Sequence, residues 1–241
     1  MSTIIRILLV MAVLALAGGC EKGKWWFGKK DPDRPPDVMT KEGMTHFKKK
    51  NYDDAIETFE KVKDRYPYSE EALLAQIKLA DAYFYKKKFD EALGAYKEFE
   101  KLHPTNKAVP YCVFRQGLCY YRQSSTIDRD QTYTIKALEE FKRLKQKFPD
   151  CEYIPKAEGY MAQCRRDLGE QEFYVAEFYY RTKRYQAAID RYQIVLQDYP
   201  EMADKQAQSR SRIEECQRLL EAEKQPEGFL SKIYHLFDAR W

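Results

Sequence analysis

The chain has 241 residues, 44% of them hydrophobic and 33% charged, which is too apolar for disorder and too charged for a protein that crosses a membrane many times. Its 42 basic and 38 acidic residues leave a net charge of +4 spread along the sequence, not the concentrated basic stripe of a nucleic-acid binder. Only 10 Gly stand beside plentiful Ala, Glu, Lys, Gln and Leu, which points to helices. The 19 Tyr point to helix faces that interlock through rings with polar tips.

Residues 1–19 open with one cation, Arg6, followed by an apolar stretch from Ile7 to Leu16 and the small residues Ala17, Gly18 and Gly19. That is a secretory signal, with an apolar core too short to span a bilayer comfortably. Small residues directly before Cys20 resemble a bacterial lipobox, although Ala17 takes the place of the usual Leu. The resemblance implies that Cys20 is acylated, each buried methylene adding roughly 0.8 kcal/mol of membrane affinity. By analogy with enteric lipoproteins, Glu21 behind the cysteine directs export to the outer membrane. Residues 20–38 read as a lipidated cysteine and a Pro-rich, semi-rigid tether. Trp25, Trp26 and Phe27 suit either a bilayer interface or packing against the first helices.

Beyond the tether, four segments align on Ala55, Ala92, Ala137 and Ala188. Four residues later stand Phe59, Tyr96, Phe141 and Tyr192, and seven later Val62, Phe99, Leu144 and Val195. Eleven later come Tyr66, His103, Phe148 and Tyr199, each followed directly by proline. Such spacing is one face of a helix that Pro then ends. A first helix precedes each second one, with Gly43, Ala80 and Ala176 twelve residues before the alanine and Phe47, Phe84 and Tyr180 eight before. In the third unit Gly117 and Tyr121 restore this register if Ser124 to Asp130 loops out. The pattern resembles the tetratricopeptide repeat, without its early Trp and with a bulkier residue for its later Ala.

Residues 152–182 continue a helical stripe across Gly169 and read as one long or kinked helix. A ninth helix covers Met202 to Glu223. Phe229, Leu230, Ile233, Leu236 and Phe237 mark a final amphipathic helix that caps the open end of the stack or meets a partner or membrane. The expected fold is an all-α, right-handed α-solenoid of about five repeats and about ten helices. Residues 39–150 hold repeats one to three, and 151–241 hold repeats four and five with the cap.

Neither CxxC nor HExxH occurs, and His46, His103 and His235 are scattered, so no metal site is expected. Cys112, Cys119, Cys151, Cys164 and Cys216 read as small apolar core residues. No nucleophile–base pair or phosphate cradle appears, so the chain is read as non-enzymatic, with no cofactor beyond the lipid on Cys20.

Several strings narrow the resemblance to the BamD family, the lipoproteins of the outer-membrane β-barrel assembly machine. They are Arg65-Tyr66-Pro67 with Tyr83-Phe84-Tyr85-Lys86, Asp128-Arg129-Asp130 with Phe148-Pro149, and Tyr174 to Tyr179 with Asp198-Tyr199-Pro200. The likeness spans residues 14–222, and the loop near Ser124 is shorter than in enterobacterial members. It implies a periplasm-facing, lipid-anchored scaffold at the outer membrane. Its implied partners are a BamA-type insertase, bound through the POTRA region, unfolded barrel precursors and other assembly lipoproteins, with no nucleic acid. On matching positions Arg191 would pair with the insertase, and Tyr66, Tyr83 and Tyr85 would line the precursor groove. Asp128, Arg129 and Asp130 read as structural, capping a helix and pinning the loop. A pilotin-like lipoprotein that assists secretin or pilus assembly is the alternative.

Overall fold

The computed structural model describes residues 34–224. The signal segment, Cys20, Trp25 to Phe27 and the final amphipathic stretch lie outside them. Nine helices follow one another among the described residues: α1 (Pro36–Lys48), α2 (Tyr52–Arg65), α3 (Glu70–Tyr85), α4 (Phe89–Leu102), α5 (Val109–Gln123), α6 (Thr132–Lys147), α7 (Ile154–Arg181), α8 (Tyr185–Asp198) and α9 (Ala203–Lys224). Each packs against the next, which is the expected all-α tetratricopeptide solenoid. The helix α1 begins at Pro36, so the last residues assigned to the tether are already helical. A proline at the first helical position loses no hydrogen bond and arrives with its φ preset.

Local chemistry sets most ends. Ser69 caps α3 by accepting from the Ala72 amide at 3.1 Å. The turns from first to second helix in repeats one, two and four pass through Lys50, Lys87 and Lys183 at φ 62°, 64° and 60°. These left-handed positions usually hold glycine. The connection between α5 and α6 runs from 124 to 131, where the sequence places an insertion.

Within a repeat, a small residue on the first helix meets a ring on the second. A Cβ built on Gly43 would lie 2.6 Å from Cε1 of Phe59, and one built on Gly117 would lie 2.5 Å from Cε1 of Phe141. Phe59 and Phe141 are fully buried. The Gly117 contact confirms the register inferred across the insertion.

The helix α7 runs unbroken for 28 residues. Its first half packs on repeat three and its second half opens repeat four. Consequently the core does not divide at residue 150, where the sequence reading places a boundary. One apolar cluster runs from Ala80 to Leu168, and a separate one begins near Phe173 and continues to Leu220. Gly169, directly after Leu168, packs on the turn that follows α8, because a Cβ there would overlap Met202 and come within 2.9 Å of Tyr199.

Repeats two and three are also pinned by ions. Glu100 on α4 accepts from Arg143 Nη1 at 2.6 Å and Nη2 at 3.1 Å, from Gln116 at 3.0 Å and from Lys147 at 3.2 Å. Burial raises the Glu100 pKa, but these donors outweigh it and bring it down to about 2.

Three substitutions test this packing. Gly117→Ala lowers stability by about 1–3 kcal/mol in urea unfolding, because the ring of Phe141 has no room to yield. Gly159→Ala, in a helix with nothing within 4 Å of the added Cβ, raises it by about 0.5–1 kcal/mol. For Glu100, whose folded pKa is depressed, the stabilising charge is fully present above the unfolded value and is lost as pH falls. The stability difference between the native chain and Glu100→Gln therefore shrinks from about pH 4.5 down to about pH 2, measured by denaturant titration across that range.

Candidate protein-binding surface

The first helices of successive repeats touch at three junctions, α1 with α3, α5 with α7 and α7 with α9, while the second helices stand further apart, α4 meeting α6 through the side chains of Glu100, Arg143 and Lys147. First helices therefore form the inner face of the curve. Two clefts open on this face. One, of about 630 Å³, lies between α5 and the start of α7 and is lined by Phe114, Leu118, Tyr121 and Tyr160, with Lys156 and Gln163 at its rim. The other, of about 600 Å³, lies between α7 and α9 against Phe173, Glu177, Gln208, Ser211 and Arg212.

Repeats two and four carry a polar device that repeats one and three lack. Where the buried ring is tyrosine, the residue after the small alanine is an acid. Tyr96 Oη donates to Asp81 at 2.5 Å, and Tyr192 Oη donates to Glu177 at 2.5 Å. An arginine from the next first helix completes each group. Arg115 Nε donates to Tyr96 Oη at 2.9 Å, and Arg212 Nε donates to Glu177 at 3.0 Å. Burial and the neighbouring Asp81 push the Tyr96 hydroxyl well above the usual tyrosine pKa, so it stays a donor. In repeats one and three the ring is phenylalanine, and Met44 and Leu118 replace the acid. The pairing of Tyr with an acid on the preceding helix is a signal already present in the sequence once the repeats are aligned.

The anticipated site residues are scattered over the molecule. Tyr66 Oη donates to the Arg34 carbonyl at 2.8 Å and Tyr83 Oη to Glu60 at 2.7 Å, so both hydroxyls bind chain segments, not an open groove. Burial and the bond to Glu60 bring the Tyr83 pKa up to about 12. Tyr85 alone of the three is half exposed, at 50%, stacked on Tyr52 at 5.8 Å and edge-on to Phe47 at 5.7 Å. The expectation that Asp128 and Asp130 cap a helix is corrected. Residue 131 is the N-cap of α6, Asp130 accepts from the Thr132 hydroxyl at 2.9 Å, and Asp128 accepts from that of Thr126 at 2.5 Å. Gln131 pins the loop by donating to the Thr126 and Arg129 carbonyls at 2.9 Å and 3.0 Å. Arg191 on α8 donates to Glu172 on α7 at 2.8 Å with its side chain 41% exposed. Among the described residues no group of His, Cys, Asp or Glu is arranged to hold a metal ion.

A sequence profile for YfiO, described as an outer membrane lipoprotein, matches residues 32–227, the whole of this stack. The chain belongs to that family. The outer membrane protein assembly factor BamD of Caulobacter vibrioides is 25% identical over 195 residues, covering 81% of this chain. The match spans 63% of that protein's own length. The same factor from Vibrio cholerae is 30% identical over 182 residues, covering 70% of this chain and 75% of that protein. Among solved structures, the TPR2AB-domain:pHSP90-complex of yeast Sti1 aligns over 74% of this chain and 70% of that one, at 14% identity and a TM-score of 0.48.

The buried tyrosines yield a direct test. Tyr96→Phe removes the acceptor of Arg115 Nε and a donor to Asp81, which lowers stability by about 1–3 kcal/mol. Tyr192→Phe, whose acid keeps Arg212 and is more open to water, lowers it by less. Phe141→Tyr in repeat three inserts a hydroxyl beside Leu118 and Gly117 and destabilises by about 1–3 kcal/mol. Equilibrium urea unfolding of the three variants gives the order.

Proposed function

We propose that this chain is a non-catalytic scaffold of the outer-membrane β-barrel assembly machine, held at the membrane by an acylated Cys20. In this reading it binds the POTRA region of a BamA-type insertase and receives outer-membrane protein precursors on its inner face. The carrying observation is that the family match extends over the entire solenoid, residues 32–227, not over one repeat. Related chains of this family are named assembly factors and are not enzymes.

Geometry supports the same division of labour. An inner face with two open clefts between helices suits recognition of a partner segment, since stacked repeats present long, shallow surfaces. Arg191 suits a partner carboxylate. Its bond to Glu172 holds the guanidinium in place, and that group carries further N–H donors at a half-exposed position.

The test is affinity purification of the full chain from detergent-solubilised outer membranes. The insertase is expected to co-purify, and Arg191→Leu is expected to reduce its recovery about tenfold or more with helicity unchanged. Recovery of a secretin without the insertase would overturn the proposal. Unaltered recovery with Arg191→Leu would remove that residue from the interface.

A further inference from the structure

On the outer face of repeats two and three, the second helices α4 and α6 leave a cleft of about 490 Å³. Val109 and Gln116 of α5 form its floor. Helix α4 contributes Lys97, Glu100 and Lys101 to one wall, and α6 contributes Glu140, Arg143 and Lys147 to the other. Residues three and four apart share one side of a helix, so the two charged rows face each other across the floor.

Both acids are occupied. Arg143 donates to Glu100 through Nη1 at 2.6 Å and Nη2 at 3.1 Å, and to Glu140 through Nε at 2.8 Å. The two carboxylates are only 17% exposed, and the fully buried Gln116 amide holds Glu100 and Arg143 together from below. Above them stand the exposed lysines. Lys147 reaches Glu100 at 3.2 Å, an acid that Arg143 already holds. Lys97 donates to a neutral group, Tyr120 Oη, at 3.0 Å, and its ammonium lies 5.4 Å from that ring. Lys136 approaches the same ring from α6 at 5.8 Å, so the basic row continues one turn beyond the cleft. Among the described residues Lys101 has no acid within ion-pairing distance.

We propose that this outer cleft binds an acidic segment of a partner protein, whose carboxylates pair with Lys97, Lys101 and Lys147. It lies on the face opposite the inner surface and stands whether or not that surface receives precursors. Charge complementarity carries the argument. Arg143 draws both acids of the cleft down to its floor, which leaves the lysines of the two walls as the cations within reach of an incoming chain. Shape selects the class of ligand. The cations line a crevice between two helices, so a narrow peptide can enter, whereas a flat bilayer would touch only the lysine tips. Pro104 and Phe148 add an apolar end to the crevice, which suits acidic residues interspersed with apolar ones.

The test uses the full chain in detergent and two fluorescein-labelled peptides in anisotropy titrations at low salt. They are Gly-Glu-Leu-Glu-Phe-Glu amide and its analogue Gly-Gln-Leu-Gln-Phe-Gln amide. The acidic peptide is expected to bind the native chain about tenfold tighter, the yield of three ion pairs of ordinary surface strength. That ratio should fall to about one when Lys101→Gln and Lys147→Gln are combined. Lys101→Gln alone, which removes no internal ion pair, should lower the ratio and serves if the double variant loses helicity. The ratio should be unchanged when Lys48→Gln and Lys49→Gln, exposed on repeat one, are combined. Equal binding of the two peptides by the native chain, or a preference that survives the cleft variants, overturns the proposal. So does a preference that falls as far with the repeat-one pair, because the protein's general charge would then suffice. Vesicles of phosphatidylcholine alone and with phosphatidylglycerol provide the other arm. A gain from phosphatidylglycerol that the cleft variants abolish, without any preference between the peptides, would assign the cleft to a lipid surface and overturn the proposal as well.

Discussion

The whole stack depends on how closely two helix backbones approach inside each repeat. Gly43 and Gly117 leave no space for a methyl group beside Phe59 and Phe141, so each ring lies directly on the opposing backbone. Interiors packed at crystal-like density do not absorb an added atom there without shifting a helix. Because every repeat rests on its neighbours, a change in one pair alters the surface that the next must cover.

The choice of ring has a consequence beyond packing. A buried phenylalanine asks nothing of its surroundings, but a buried tyrosine carries a hydroxyl that must be satisfied. Repeats two and four meet that demand with Asp81 and Glu177, and each acid in turn draws in an arginine from the following repeat. The polar groups thus join repeats to each other. In the fourth repeat the group borders an open cleft, whereas in the second it closes over with Phe84 and Tyr111.

The long helix α7 accounts for the departure from an even array. Its first half covers repeat three as another first helix would, which is why Leu168 still belongs to the central core. Its second half supplies the first helix of repeat four. The division at residue 150 looked natural because Pro149 ends a helix, but a helix end marks a turn in the chain and not a break in the core.

Much of this was legible from residue order. Helix spans, the small and aromatic register, the looped insertion and the continuity through Gly169 follow from periodicity and from the backbone limits of Gly and Pro, which act locally. Which way Tyr66 and Tyr83 turn their hydroxyls was not legible, because periodicity assigns a face but not the atom waiting opposite. The same holds for Gln131, which pins the loop through two carbonyls beside the contacts that Asp128 and Asp130 make. Asp81 and Arg115 are 34 positions apart and look like ordinary helix charges until the repeats stack. Local patterns set the elements, because a turn of helix depends on residues three and four apart. The joining of charges across repeats, and the clefts left between first helices, came from packing, which places distant residues within bonding range and removes the water between them.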